Sequence, residues 1–161
     1  MGYTTEYYGE ITIQPALNAQ EIKYIQEFGN TRRMSRSKGD YYIEDKDGGM
    51  HTAPDIIDCN SSGSMPSLWC GWTCNDEGTA IIWNGSEKFY KADIWMKWII
   101  EHFLSAEPLA KESLPFLQGH VLNGEMDAIG EELDDRWQLI VEGNKVFTAQ
   151  QVSEYGEATE I

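Results

Sequence analysis

The side chains best suited to chemistry in this sequence are carboxylates near its C-terminal end. They alternate along a predicted strand and continue into the loop after it: Glu125, Asp127, Glu131, Glu132, Asp134 and Asp135. Carboxylate oxygens in such an arrangement can bind Mg²⁺ or Ca²⁺, and a bound divalent ion can activate water for phosphoester hydrolysis. The spacing does not match an EF-hand loop. An acidic surface that binds a protein partner would use the same residues without metal.

A second set of candidate metal ligands combines three thiols with one imidazole: His51, Cys59, Cys70 and Cys74. Three residues separate Cys70 from Cys74, a spacing within the range of zinc sites. The alternative is that both thiols are buried, because alternation along a strand places them on one face with Leu68 and Trp72. We favour buried thiols and predict no cofactor.

Two further histidines, His102 and His120, can transfer protons only if the fold brings one of them to an acidic residue. We expect them to be hydrogen-bonded structural residues. The sequence contains no GxxxxGK[ST], GxGxxG or GxSxG motif, which argues against a P-loop nucleotidase and a serine hydrolase of the nucleophile-elbow type.

A short basic patch follows the first predicted helix and contains Arg32, Arg33 and Arg36. These cations have three possible roles. They can bind phosphate or RNA, pair with the acidic C-terminal half of the chain, or interact with the negative end of the helix dipole.

Six tryptophans are many for this length, and aromatic residues are common in both cores and interface hot spots. Strand alternation places Trp69 on the face opposite Trp72, so one of the two is expected to be exposed. We predict that Trp69 and Trp137 anchor a partner.

The 161 residues carry a formal net charge of −15. Residues 101–161 contribute thirteen acids and three bases. This charge opposes direct binding to nucleic acid or to an anionic membrane, and the apolar runs are too short to span a bilayer. The N-terminal sequence does not resemble a secretory signal, and three cysteines are too few for a disulfide scaffold, so we expect a cytoplasmic protein.

Hydrophobic periodicity and turn residues predict the secondary structure. We predict two helices. The first begins after Asn18, which is followed by Glu21 in the pattern of a capping box, and the second covers 88–105. The predicted strands cover 3–14, 40–44, 68–74, 79–83, 121–129, 137–141 and 145–148, and residues 46–66 are predicted to form a long loop. The fold class is α+β, with two helices packed on one face of a mainly antiparallel sheet. We expect one domain over 1–149 and a flexible tail over 150–161.

Several short strings of the sequence are familiar as a group: TRRM, PSLWCGW, GTAIIWNGSEKFY, WIIEHFL, LNGE and GEELDDRW. Together they resemble an uncharacterised family of small proteins encoded by bacteriophages and bacterial genomes. The resemblance covers most of residues 3–147. It implies a single compact domain and a phage or mobile-element setting, and it implies no activity or site residues.

These observations favour a non-enzymatic acidic protein, a monomer or homodimer in the bacterial host cell. It would bind and inhibit a host nucleic-acid-handling protein with a cationic surface by mimicking nucleic-acid charge. The alternative is a divalent-metal-dependent phosphoester hydrolase that uses the acidic C-terminal cluster. A catalytic site requires carboxylates that converge in a cleft, whereas charge mimicry requires them to be spread over an exposed face.

Overall fold

The computed structural model of the protein describes residues 3–43, 54–87, 89–150 and 159–161. The helices are α1 (Ala19–Gly29) and α2 (Ala92–Ile99), and α2 continues into a π-helical segment, Ile100–Leu104. The strands are β1 (Glu6–Gln14), β2 (Ser35–Arg36), β3 (Ile56–Asp58), β4 (Trp72–Cys74), β5 (Ala80–Trp83), β6 (Val121–Ile129), β7 (Arg136–Glu142), β8 (Lys145–Gln150) and β9 (Thr159–Glu160).

Seven strands form one antiparallel sheet in the order β4-β5-β1-β6-β7-β8-β9, and β2 pairs with β3 separately. Helix α1 packs against β4, and α2 packs against β8 and β4. The predicted α+β class is therefore confirmed. No helix in the described ranges has the length and apolar character needed to cross a bilayer.

Strand β1 lies near the middle of the sheet, and its sequence alternates between the two faces. Tyr7, Ile11 and Ile13 are buried, whereas the residues between them are exposed. Its partner β6 pairs along the whole length of β1, from Glu6 opposite Ile129 to Gln14 opposite Val121. One face of the β1–β6 pair therefore packs in the core, and the other face is exposed to solvent.

Helix α1 begins with the predicted capping box. The Asn18 side chain accepts a hydrogen bond from the Glu21 backbone N–H at 2.8 Å, and the Glu21 carboxylate accepts one from the Asn18 N–H at 2.9 Å. These bonds satisfy backbone donors that a helix start otherwise leaves unpaired. The helix then buries Tyr24, Ile25 and Phe28 in the core.

Helix α2 begins later than predicted, at Ala92. Lys91 has a left-handed backbone with a φ of 59°, which a right-handed α-helix cannot include. The preceding Phe89 packs edge-on against Trp72, with ring centroids 4.9 Å apart. Trp95 and Met96 are fully buried.

The short strand predicted over 40–44 is wrong for its described part, because residues 40–43 form a turn and irregular backbone. Side chains bind the carbonyls that a strand would use for pairing. Arg33 donates to the Asp40 carbonyl, and the Tyr24 hydroxyl donates to that of Tyr41. The predicted loop over 46–66 also contains a strand, β3.

Both ends of the flexible tail predicted over 150–161 belong to strands in the structure. Residue Gln150 closes β8, and the short strand β9 pairs with β8. Lys97 donates to the Ile161 carbonyl at 2.9 Å. Residues 151–158 lie outside the described ranges.

Candidate partner-binding surface

The solvent-facing side of β1 and β6 concentrates carboxylates. We call Glu6, Glu10, Glu125 and Asp127 the acidic face, and all four side chains are exposed. Glu10 lies directly opposite Glu125 across the two strands. Side chains in such positions have Cβ atoms roughly 5 Å apart, so the two carboxylates repel each other.

The β6–β7 connection extends this negative surface. We call Glu131, Glu132, Asp134 and Asp135 the acidic turn, in which the first three are exposed and Asp135 is half-buried. Backbone bonds close the turn, from Gly130 N–H to the Asp135 carbonyl at 2.8 Å and from Asp135 N–H to the Glu132 carbonyl at 3.1 Å.

The N-terminal segment holds the acidic turn in place. The Tyr3 hydroxyl donates to Oδ2 of Asp135 at 2.6 Å and accepts from the Glu132 N–H at 3.1 Å. The Thr4 N–H donates to Oε1 of Glu131 at 2.8 Å. A Cβ at Gly130 would lie 2.1 Å from Oδ2 of Asp135 and 2.3 Å from the Tyr3 hydroxyl oxygen, so a side chain there would displace this hydrogen-bonded pair.

The negative potential of this region affects its tyrosines. The hydrogen bond to Asp135 raises the pKa of Tyr3. The Tyr8 hydroxyl donates to the Glu6 carboxylate, and this bond raises the pKa of Tyr8. Tyr8 is half-exposed and lies opposite Asp127, so it adds an aromatic surface within the acidic face.

The carboxylates are spread over the surface. Outward residues on one strand are about 7 Å apart along it, and neighbouring strands lie about 5 Å apart. The described residues contain no group of three or more His, Cys, Asp and Glu side chains placed to hold a metal ion.

The candidate zinc ligands are not brought together as a described site. Cys70 and Cys74 are buried, as predicted, and Cys59 is half-buried. Burial raises the pKa of Cys70 to about 12 and that of Cys74 to about 11, which keeps both protonated. His51 lies outside the described residues.

Both described histidines have structural partners. Nδ1 of His102 lies 2.6 Å from the Tyr41 hydroxyl, and its ring stacks on Trp98 at 3.9 Å between centroids. Burial lowers the pKa of His102. His120 lies in the interior beside Glu21, with both side chains at most 1% exposed, so no substrate can reach this pair.

The three arginines of the predicted basic patch are buried or half-buried. Arg33 is 2% exposed and lies over the Phe28 ring at 4.0 Å. Arg36 is also buried and pairs with Asp55 at 2.9 Å. Arg32 is half-buried and donates from Nε to the Cys59 carbonyl at 3.0 Å. Each guanidinium finds an acceptor in a nearby loop, and the ion pair of Arg36 forms with Asp55, outside the acidic C-terminal half.

The two tryptophans predicted as anchors lie apart from the acidic face. Trp137 is opposite Ala128 on the core side of the sheet, and its ring contacts Tyr7 edge-on at 6.0 Å. Trp69 is half-buried and lines a separate cavity with Arg32 and Tyr90.

The sequence interpretation missed Glu6, Glu10 and Tyr8. The sequence does contain a signal for them, because all three occupy the solvent-facing positions of the alternating pattern in β1. Their proximity to Glu125 and Asp127 depends on the pairing of β1 with β6, which joins residues more than a hundred positions apart.

Comparison of the chain with protein-family models, curated proteins and solved structures finds no match.

Proposed function

We propose that the acidic face and the acidic turn bind a basic surface of a nucleic-acid-handling protein and compete with nucleic acid for it. The observation that supports this proposal is the juxtaposition of Glu10 and Glu125 on the solvent-facing side of the sheet. Like charges that face each other across strands cost stability. A cationic partner would convert this repulsion into attraction.

The chemistry of such partners fits this surface. Proteins that bind nucleic acid contact phosphates through lysine and arginine, and this contact is largely independent of sequence. The exposed carboxylates on β1 and β6 present negative charge to the same cations. Complementary charge also increases the association rate and suppresses wrong partners.

The proposed biological setting rests on the family resemblance. In that setting, a bacteriophage or mobile element encodes the protein, which acts in the cytoplasm of its bacterial host. Binding to the basic surface would then inhibit a host enzyme or regulator that acts on nucleic acid.

The test compares two variants with equal charge change. The face variant combines Glu10→Gln, Glu125→Gln and Asp127→Asn, and the control variant combines Glu77→Gln, Glu87→Gln and Glu107→Gln, which are exposed loop residues. Each protein is used to capture partners from bacterial lysate at low salt and at about 0.5 M salt. The purified partner is then bound to labelled nucleic acid and titrated with each protein.

We expect the wild type and the control variant to capture the same nucleic-acid-binding protein at low salt and to displace its nucleic acid. The face variant should displace it at least about tenfold less well. Equal displacement by the face variant and the control variant would contradict the proposal. A Tm increase with Mg²⁺ that the face variant lacks, together with phosphoester cleavage, would instead support the metal-dependent hydrolase.

A further inference from the structure

A cavity of about 400 Å³ lies where the residues after α1 meet the segments around residues 60–69 and residue 90. Its walls include two aromatic rings, Trp69 and Tyr90, and one cation, Arg32. The volume lies within the range of small-molecule sites, which combine apolar walls with a few polar groups.

Hydrogen bonds connect the separate segments that form this cavity. The Arg33 N–H donates to the Leu68 carbonyl at 2.7 Å, and the Ser35 N–H donates to the Ser61 carbonyl at 2.7 Å. The Ser67 hydroxyl donates to the Tyr90 carbonyl at 3.2 Å and accepts from Nε1 of Trp95 at 2.7 Å. The walls are therefore largely preformed, which reduces the entropic cost of binding.

The cavity favours an anion even though the chain is strongly acidic. Arg32 is its one charged lining residue among the described residues. The bond from Nε to the Cys59 carbonyl fixes this side chain, and no described residue accepts a hydrogen bond from Nη1 or Nη2. These nitrogens can donate a pair of hydrogen bonds to a phosphate or a carboxylate.

The two aromatic residues favour a planar ring. Trp69 is half-buried and Tyr90 is 50% exposed, so ring surface is accessible at the cavity. Aromatic faces stack on planar rings irrespective of their substituents. Asn60 adds an exposed amide that can donate to and accept from polar atoms of such a ring.

We propose that this cavity binds a small anion with a planar ring, with Arg32 on the phosphate or carboxylate and Trp69 and Tyr90 against the ring. Nucleoside monophosphates and aromatic carboxylates share this chemistry. The inference does not depend on the acidic face.

The first test is titration calorimetry of the full chain at physiological salt, which screens distant carboxylates. The ligands are adenosine monophosphate and indole-3-acetate, with adenosine as the uncharged ring and inorganic phosphate as the ringless anion. We expect at least one ring-bearing anion to bind with a Kd below about 1 mM, and adenosine and phosphate to bind at least about tenfold more weakly. The better ligand of the first two identifies the class of ring-bearing anion, a nucleoside monophosphate or an aromatic carboxylate. Absence of binding by both ring-bearing anions would overturn the proposal.

The second test uses variants. Arg32→Gln should weaken binding at least about tenfold, and Arg32→Lys should have a smaller effect because it keeps the charge and loses the planar fork. Tyr90→Ala changes an exposed ring and tests stacking without disturbing the core. Lys23→Gln, at an exposed position on α1, is the charge-matched control and should bind like the wild type. Wild-type affinity in both Arg32→Gln and Tyr90→Ala would overturn the proposal.

Discussion

Nε2 of His120 lies 2.8 Å from Oε2 of Glu21 in the interior of the protein. Nδ1 of the same ring lies 2.7 Å from the Pro15 carbonyl, so both ring nitrogens face acceptors. The Glu21 carboxylate also accepts from the N–H groups of Asn18 and Gln118. This arrangement matches an imidazolium paired with a carboxylate, and it ties the start of α1 to the segment before β6.

Loss of this pair should destabilise the fold strongly. His120→Leu leaves the Glu21 carboxylate buried without its cation, and we expect a decrease of about 3–5 kcal/mol in the free energy of unfolding. Urea denaturation at pH 6 measures this decrease. Glu101→Gln, at an exposed position, is the control and should remain within about 0.5 kcal/mol of the wild type. A loss below about 1 kcal/mol for His120→Leu would show that the pair contributes little.

The same pair predicts the pH dependence of stability. Burial alone would lower the pKa of His120, but the hydrogen bonds to Glu21 and to the Pro15 carbonyl outweigh it and raise the pKa above its ordinary value of 6.5. Burial alone would raise the pKa of Glu21, but the bonds from His120, Gln118 and Asn18 lower it below 4.5.

The signs of these two shifts define a window of maximal stabilisation. The contribution of His120 is complete below pH 6.5 and is lost as the pH rises through its raised folded pKa. The contribution of Glu21 is complete above pH 4.5 and is lost as the pH falls through its lowered folded pKa. The stability difference between the wild type and the double variant Glu21→Gln/His120→Leu, in which neither position titrates, should therefore be larger at pH 5.5 than at pH 9. Equal differences at both values would contradict the charged pair.

The Glu21 side chain shows how far the sequence predicts this fold. The capping box is local, because Asn18 and Glu21 are three residues apart, and its sequence signal was sufficient. The pairing of Glu21 with His120 joins residues 99 positions apart. It depends on how the elements pack, which periodicity does not specify.

In the candidate site, too, the sequence predicts the local features and does not predict the long-range contacts. The bounds of β6 follow from its alternation, and Glu125 and Asp127 were correctly placed on one side of a strand. The position of Glu10 opposite Glu125 needed the strand order. The burial of Arg33 and Arg36 also depends on acceptors in loops without periodicity, the Asp40 carbonyl and the Asp55 carboxylate. Charge type alone therefore left the role of these arginines open, and the fold gives them internal hydrogen bonds.

Gly124 should be essential for the pairing of β1 with β6. Its φ is 150°, and a Cβ there would lie 2.7 Å from the Glu10 carbonyl oxygen and 3.1 Å from Cα of Ile11. Both obstacles are backbone atoms, so Gly124→Ala should lower the free energy of unfolding by more than about 2 kcal/mol. Gly85→Ala is the control, because Gly85 also has a positive φ but no atom within 4 Å of the added Cβ. It should cost about 1–2 kcal/mol. Equal losses in the two variants would contradict the steric argument.

The three thiols should react very differently with an alkylating reagent. Cys70 and Cys74 are buried and their pKa values are raised, whereas Cys59 is half-buried. The thiolate is the reactive form, so the native protein should label at Cys59 alone. Mass spectrometry after brief iodoacetamide treatment at pH 8 measures the labelling. Cys59→Ser should abolish it, and labelling in urea should restore reaction at Cys70 and Cys74. Rapid native labelling of Cys74 would show that the β4 region opens readily.

Glu10→Gln separates the stability of the acidic face from its proposed binding role. The substitution removes one of two carboxylates that face each other, so we expect Tm to rise by about 1–3 °C at low salt. In about 1 M salt the gain should shrink, because the screening length falls to about 3 Å. Glu125→Gln removes the same repulsion, so the gains of the two substitutions should not add. Glu77→Gln, in the exposed β4–β5 turn, is the control and should leave Tm unchanged. Suppose that Glu10→Gln both raises Tm and weakens displacement of nucleic acid from the captured partner. That result would mean that the Glu10 carboxylate lowers the stability of the fold and contributes to partner binding. A stabilised variant with unchanged displacement would instead place the binding surface elsewhere.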